Sequence, residues 1–116
     1  MNDTEHRPWG YYTILATLDN GVVVKKLCIK PGQQFSYQSH VRRHEHWTVV
    51  EGEGHVTLDD KRVPVAVGAI ISVPLGTKHR VTNTHPTDDL VIIEVMRGEY
   101  DENDIVRYED DYGRTV

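Results

Sequence analysis

A chain of 116 residues is long enough for one hydrophobic core and too short for two. With 38% hydrophobic and 27% charged residues it has the make-up of an ordinary globular domain; no apolar run approaches the roughly 20 residues of a membrane helix and MNDTEHR has no signal-peptide character, so a cytoplasmic location is expected. The formal charge of −5 gathers at one end: from Gly98 onward seven acids face only Arg107 and Arg114, the remainder balances, and no basic stripe for nucleic acid is present.

In chain order, short β-type segments alternate with turns. Residues 11–18 run into Asp19-Asn20-Gly21, a hairpin signal because Asn and Gly tolerate the positive φ of tight turns. Residues 22–30 follow and stop at Pro31-Gly32. Further strands are expected at 34–38, 45–51, 55–58, 63–66, 69–73, 79–83 and 90–97. No window of ten or more residues keeps a 3.6-residue apolar period, apart from one short helical turn expected near 102–106. Many short strands punctuated by Gly and Pro predict an all-β sandwich or barrel, a single domain over 1–116. The acidic segment 98–116, with its arginines and tyrosines, is expected to pack on or near the barrel mouth.

Strand parity adds two polar candidates. Val23, Leu27 and Ile29 alternate in step with Lys25, so an inward aliphatic side carries Lys25 inward too, either to meet an anion or carboxylate or to snorkel out at the mouth. Glu94 is in step with Leu90, Ile92 and Met96, but both sides of that segment are apolar and parity does not choose between them. The lone Cys28 permits no internal disulfide and reads as strand packing.

The densest chemistry lies between Gln38 and Asn83. One segment runs Gly32, five residues, Gln38-x-His40, four residues, Glu45, six residues, Gly52. The second runs Gly68, five residues, Pro74-x-Gly76, two residues, His79, three residues, Asn83. Residues i and i+2 of a strand share a face, so Gln38 and His40 point the same way, and Glu45 follows across a short turn. His79 sits past the 74–77 turn, at the start of another strand. Two turn-and-strand units, alike in plan as two halves of a jelly roll are, thus aim oxygen and nitrogen ligands at one divalent ion, with Zn, Mn, Co, Ni and Fe(II) all compatible. His6, His44, His55 and His85 lack such spacing and read as surface or structural residues.

These segments resemble the two motifs of the cupin superfamily, with Gln38 in place of the usual first histidine. Over 38–52, QSHVRRHEHWTVVEG is similar to the QxHxxRxEHWxVVxG signature of the type II phosphomannose isomerases. RPWGYY, VKKLCIKPG, PLGTKHRVTN, IIEV, GEY and DIVRYEDDYGR extend the likeness from Arg7 to Arg114. The resemblance implies a cupin double-stranded β-helix and a metal set of Gln38, His40, Glu45 and His79. It also implies interconversion of mannose 6-phosphate and fructose 6-phosphate through an enediol, a small-molecule sugar phosphate as partner, and a homodimer.

For the proton-shuttling base Lys25, His46 and Glu94 are the candidates; His46 is kept on the signature alone, because alternation turns it away from Glu45. Arg43, matched by an arginine in the signature, is the first choice for the 6-phosphate, followed by Arg107 and Arg114, and Arg43 and Arg107 are also counted with the catalytic set. In that family the domain is usually the C-terminal part of a longer enzyme that also makes GDP-mannose. These residues hold no glycine-rich nucleotide loop, so that second activity is not expected of them, and the stretch after GEY is about one residue short. The alternatives are a non-catalytic metal- and sugar-binding cupin module, another sugar-phosphate isomerase or epimerase, and a non-haem iron oxygenase, since two His and a carboxylate also hold iron(II).

Overall fold

The computed structural model describes residues 3–99, 101 and 103–112. Eleven strands occupy β1 Asp3–Arg7, β2 Gly10–Thr17, β3 Val23–Ile29, β4 Tyr37–Ser39, β5 Arg43–Glu51, β6 Glu53–Leu58, β7 Lys61–Ala66, β8 Ile70–Val73, β9 His79–Thr82, β10 Leu90–Gly98 and β11 Val106–Glu109. They form two antiparallel sheets, ordered β1-β2-β3-β10-β5-β8 and β11-β4-β9-β6-β7. Among the described residues there is no helix, and none long and apolar enough to cross a membrane. The all-β jelly-roll expectation is met.

The turns are where the sequence put them. Gly21 takes φ 85° and Leu18 N–H donates to the Val22 carbonyl at 2.8 Å, closing the β2–β3 hairpin. Asp59 and Asp60, at φ 43° and 69°, make the two-residue link between β6 and β7, a conformation that short acceptor side chains tolerate.

Two expectations need correction. The 34–38 strand forms only at Tyr37–Ser39; Gln34 makes an isolated bridge to Thr82, its side chain held by Thr82 and Asp111, while Phe35 turns inward. Of the helical turn expected near 102–106, Glu102 lies outside the described residues; Asp104 N–H donates to the Asp101 carbonyl at 2.9 Å, and no helix follows before the chain extends into β11. Strands β1 and β11 were not foreseen.

The core lies between the sheets. Leu27, Ile29, Trp47, Val49, Leu90 and Ile92 come from the six-stranded sheet and Val56, Val65 and Val81 from the other. Phe35 stacks edge-on against Trp9, Trp47 and His79, with ring centroids 5.6, 6.2 and 6.4 Å away. This aromatic layer joins the apolar core to the polar site at one end of the barrel.

Candidate metal and substrate pocket

His40 lies in the link from β4 to β5, Glu45 early in β5 and His79 at the start of β9, so both sheets contribute. One ligand atom from each falls within 4.8 Å of the others, and all three residues are buried. Glu45 Oε2 is 3.3 Å from His40 Nε2, and Glu45 Oε1 is 3.8 Å from His79 Nε2.

Both imidazoles are oriented from behind. His40 Nδ1 donates to the Asp104 carbonyl at 2.6 Å and His79 Nδ1 to the Thr77 carbonyl at 2.9 Å, which leaves each Nε2 as the acceptor facing inward. Burial, followed by Arg43 and His79, brings His40 down to about 3. Burial likewise brings His79 down to about 4, against the pull of its bond to Thr77. Both rings are therefore neutral near pH 7, the state a metal ligand requires.

His79 Nε2 is buried, has no hydrogen-bond partner and points at the cluster. A buried nitrogen without a partner beside a second imidazole and a carboxylate fits a divalent ion. Gln38 lies alongside, but it accepts from the Ser36 hydroxyl through Oε1 at 2.6 Å and places Nε2 3.3 Å from His40 Nε2. The Ser36 hydroxyl can accept as readily as it donates, so the Gln38 amide can also sit turned over, with its oxygen toward His40.

Next to this cluster is a cavity of about 150 Å³ lined by Arg7, Tyr12, Lys25, Arg43, Glu45, Glu94 and Arg107 among others. Lys25 is 6% exposed and Glu94 5%, so both point into the barrel, and they are direct cross-strand partners. The indole N–H of Trp47, the next residue in that row, donates to Glu45 Oε1 at 3.1 Å and Glu94 Oε1 at 3.2 Å. Burial, and then the neighbouring Glu45 carboxylate, push the Glu94 carboxyl well above the usual carboxylate range, while Lys25 and Arg43 pull it back. The Lys25 ammonium also sits 4.4 Å from the centre of the Tyr12 ring, and the Arg7 guanidinium lies 5.2 Å from the same ring.

Arg43 Nε lies 3.1 Å from Glu45 Oε2, and its Nη2 donates to His40 Nε2 at 2.8 Å. Arg107, on β11, lines the same cavity from the end of the chain. Arg114 lies outside the described residues. His46 is removed from the candidate bases: paired with Val95 and Ser72, it alternates to the outer face, where Arg97 donates to its Nε2 at 3.3 Å.

Two contributors escaped the sequence reading. Arg7 stood only within RPWGYY, and nothing in its neighbours marked β1 as a strand. Asp104 was counted with the acidic tail, yet its carboxylate accepts the backbone N–H groups of Val41 at 2.9 Å and Arg42 at 3.0 Å beneath His40.

With the geometry in place, comparison with known proteins gives the lineage. The family described as "Mannose-6-phosphate isomerase C-terminal" matches residues 1–110. The chain belongs to that family. It is 42% identical over 113 residues to the xanthan biosynthesis protein XanB of Xanthomonas campestris pv. campestris, covering 95% of this chain and 23% of XanB. It is 39% identical over 117 residues to the mannose-1-phosphate guanylyltransferase ManC of Salmonella typhimurium, covering 98% of this chain and 24% of ManC. The chain thus spans about a quarter of the length of these relatives. Among solved structures, the cupin-2 domain Rru_A2000 of Rhodospirillum rubrum superposes with a TM-score of 0.76 at 14% identity, over 89% of this chain and 78% of that one, a likeness of fold. As a cupin of the mannose-6-phosphate isomerase C-terminal family, the chain is related to enzymes of sugar metabolism and carries a triad able to hold a metal.

Proposed function

We propose that this cupin is a metal-dependent aldose–ketose isomerase that interconverts mannose 6-phosphate and fructose 6-phosphate. The observation that carries the reading is one cavity, next to the His40–Glu45–His79 cluster, onto which four cationic side chains and two carboxylates converge. Arg7, Lys25, Arg43 and Arg107 against Glu45 and a Glu94 biased toward its protonated form make an electropositive pocket in a protein of net charge −5. Such a pocket suits an anionic ligand, and the arginines offer the planar donors that bind phosphate oxygens in pairs.

A divalent ion held by His40, Glu45 and His79, with Gln38 as fourth ligand, supplies a Lewis acid for the sugar's carbonyl and hydroxyl oxygens. The chain's own groups do the rest. Glu94, facing the cavity between Glu45 and Lys25, takes the proton from C2 of the aldose in its ionised form and returns it to C1 of the enediol, while the C2 hydroxyl proton passes to the C1 oxygen, so that carbonyl and hydroxyl exchange places and Glu94 ends as it began. Lys25 sets the charge balance at Glu94 and offsets negative charge developing on the substrate oxygens. Arg7, Arg43 and Arg107 receive the phosphate, and the Trp9–Phe35 aromatic wall limits water around the carbon skeleton. Two copies are proposed to pair, because β1, β8, β7 and β11 end their sheets among the described residues; light scattering reads this directly.

The deciding assay incubates the protein with mannose 6-phosphate and each of Zn²⁺, Mn²⁺, Co²⁺, Ni²⁺ and Fe²⁺, following fructose 6-phosphate. Turnover with at least one metal, abolished by a chelator, is expected. Sugar-phosphate binding without turnover assigns a binding module instead, and oxygen uptake with Fe²⁺ assigns an oxygenase.

A further inference from the structure

His40 has a single lone pair to give. Its Nδ1–H is committed to the Asp104 carbonyl at 2.6 Å, so Nε2 is the acceptor, and Arg43 Nη2 already donates to that atom at 2.8 Å. The same guanidinium places Nε 3.1 Å from Glu45 Oε2. One side chain therefore engages two of the three members of the cation cluster, and no lone pair on His40 is left to accept from Arg43 and bind an ion together.

We propose that Arg43 is the built-in occupant of the cation site and couples it to the anion site. With no ion bound, the guanidinium compensates Glu45, which at 3% exposed cannot stand as a bare carboxylate. A divalent ion displaces it. Arginine cannot shed its charge, so the displaced group, in a cavity already lined by Lys25, Arg7 and Arg107, becomes a partner for an entering oxyanion. The ion and a phosphate-bearing ligand then favour one another, and linkage makes the effect reciprocal. This rests on the metal reading proposed above.

The test measures Co²⁺ dissociation constants for the wild type, Arg43→Gln and Arg43→Lys by titration, with and without inorganic phosphate at constant ionic strength and with free Co²⁺ corrected for its phosphate complex. Arg43→Gln is expected to bind Co²⁺ at least tenfold more tightly than the wild type. Arg43→Lys, which keeps the charge but cannot span both His40 and Glu45, is expected to bind several-fold more tightly and guards against a misfolded glutamine variant. Phosphate should tighten Co²⁺ binding several-fold in the wild type and clearly less in Arg43→Gln, where only Arg7, Lys25 and Arg107 remain to hold it. Wild type that binds Co²⁺ while both variants bind it equally or more weakly overturns the coupling alone, as does a phosphate effect of undiminished size in Arg43→Gln. Absence of Co²⁺ binding in all three proteins overturns the metal reading itself, and the coupling with it.

Discussion

Trp47 shows how closely the chemistry is built into the packing. Its ring is 1% exposed, and its one donor is shared between Glu45 and Glu94. A carboxyl so placed, with Lys25 on its other side, is suited to hold a proton and pass it on. Glu94→Gln keeps an oxygen for the indole and changes little in shape, so the fold should persist. Turnover should fall by roughly 10²–10⁴-fold, the usual range for a positioned general base. Steady-state kinetics with a binding titration check this: kcat drops while sugar-phosphate affinity stays within about threefold, and an equal loss of affinity would make Glu94 a structural residue. The three candidate bases also show what parity can read. Lys25 was legible because one side of its strand is plainly aliphatic. Glu94 was not, because β10 lies between β3 and β5 and is apolar on both faces, while alternation correctly turns His46, a candidate on motif likeness alone, to the outer face.

At the scale of elements, Asp104 ties the end of the chain to the turn between β4 and β5. Its carboxylate accepts from Val41 and Arg42, and its carbonyl accepts from His40 Nδ1. Burial raises this carboxyl, but the two backbone donors, with His40 and Arg42, outweigh burial and hold it below the usual aspartate range. A carboxyl depressed on folding contributes stability that is complete above the ordinary aspartate value of about 3.9 and lost as pH falls through the lower folded value. Asp104→Ala should therefore destabilise the domain by about 1–3 kcal/mol at pH 7. In thermal melts the gap between variant and wild type should close as the pH is taken down through the aspartate range; a gap constant with pH would mean that the side chain acts through packing alone. None of this was legible in the sequence, where Asp104 is one acid among seven. The same holds for β1 and β11: β1 has no apolar alternation, the alternation of Val106 and Tyr108 in β11 is only two residues long, and each becomes a strand because β2 and β4 offer edges to pair with.

For the molecule as a whole, the two motif segments were readable as local turn-and-strand units, and three of the four residues read as ligands, His40, Glu45 and His79, do converge. What could not be read was the pairing of distant strands, such as β10 inserted between β3 and β5, because alternation reports a face and not a neighbour. The barrel depends on points where the chain leaves one sheet for the other, and Gly52, between β5 and β6, is such a point. It takes φ 81°, and a Cβ there would fall 2.3 Å from the Asp89 carbonyl oxygen and 3.1 Å from Leu90 Cα. Gly68 is a matched control, with φ 94° and nothing within 4 Å of the added carbon. Alanine at either position meets the left-handed backbone penalty of about 1–2 kcal/mol, but only at Gly52 must the start of β10 also move. Gly68→Ala should lower the thermal midpoint by roughly 5–10 °C. Gly52→Ala should lower it by clearly more, or prevent folding, because the strand it pushes carries Glu94. Equal melting of the two variants would show that left-handed strain, and not the approach of β10 to the sheet crossing, sets the requirement for glycine at Gly52.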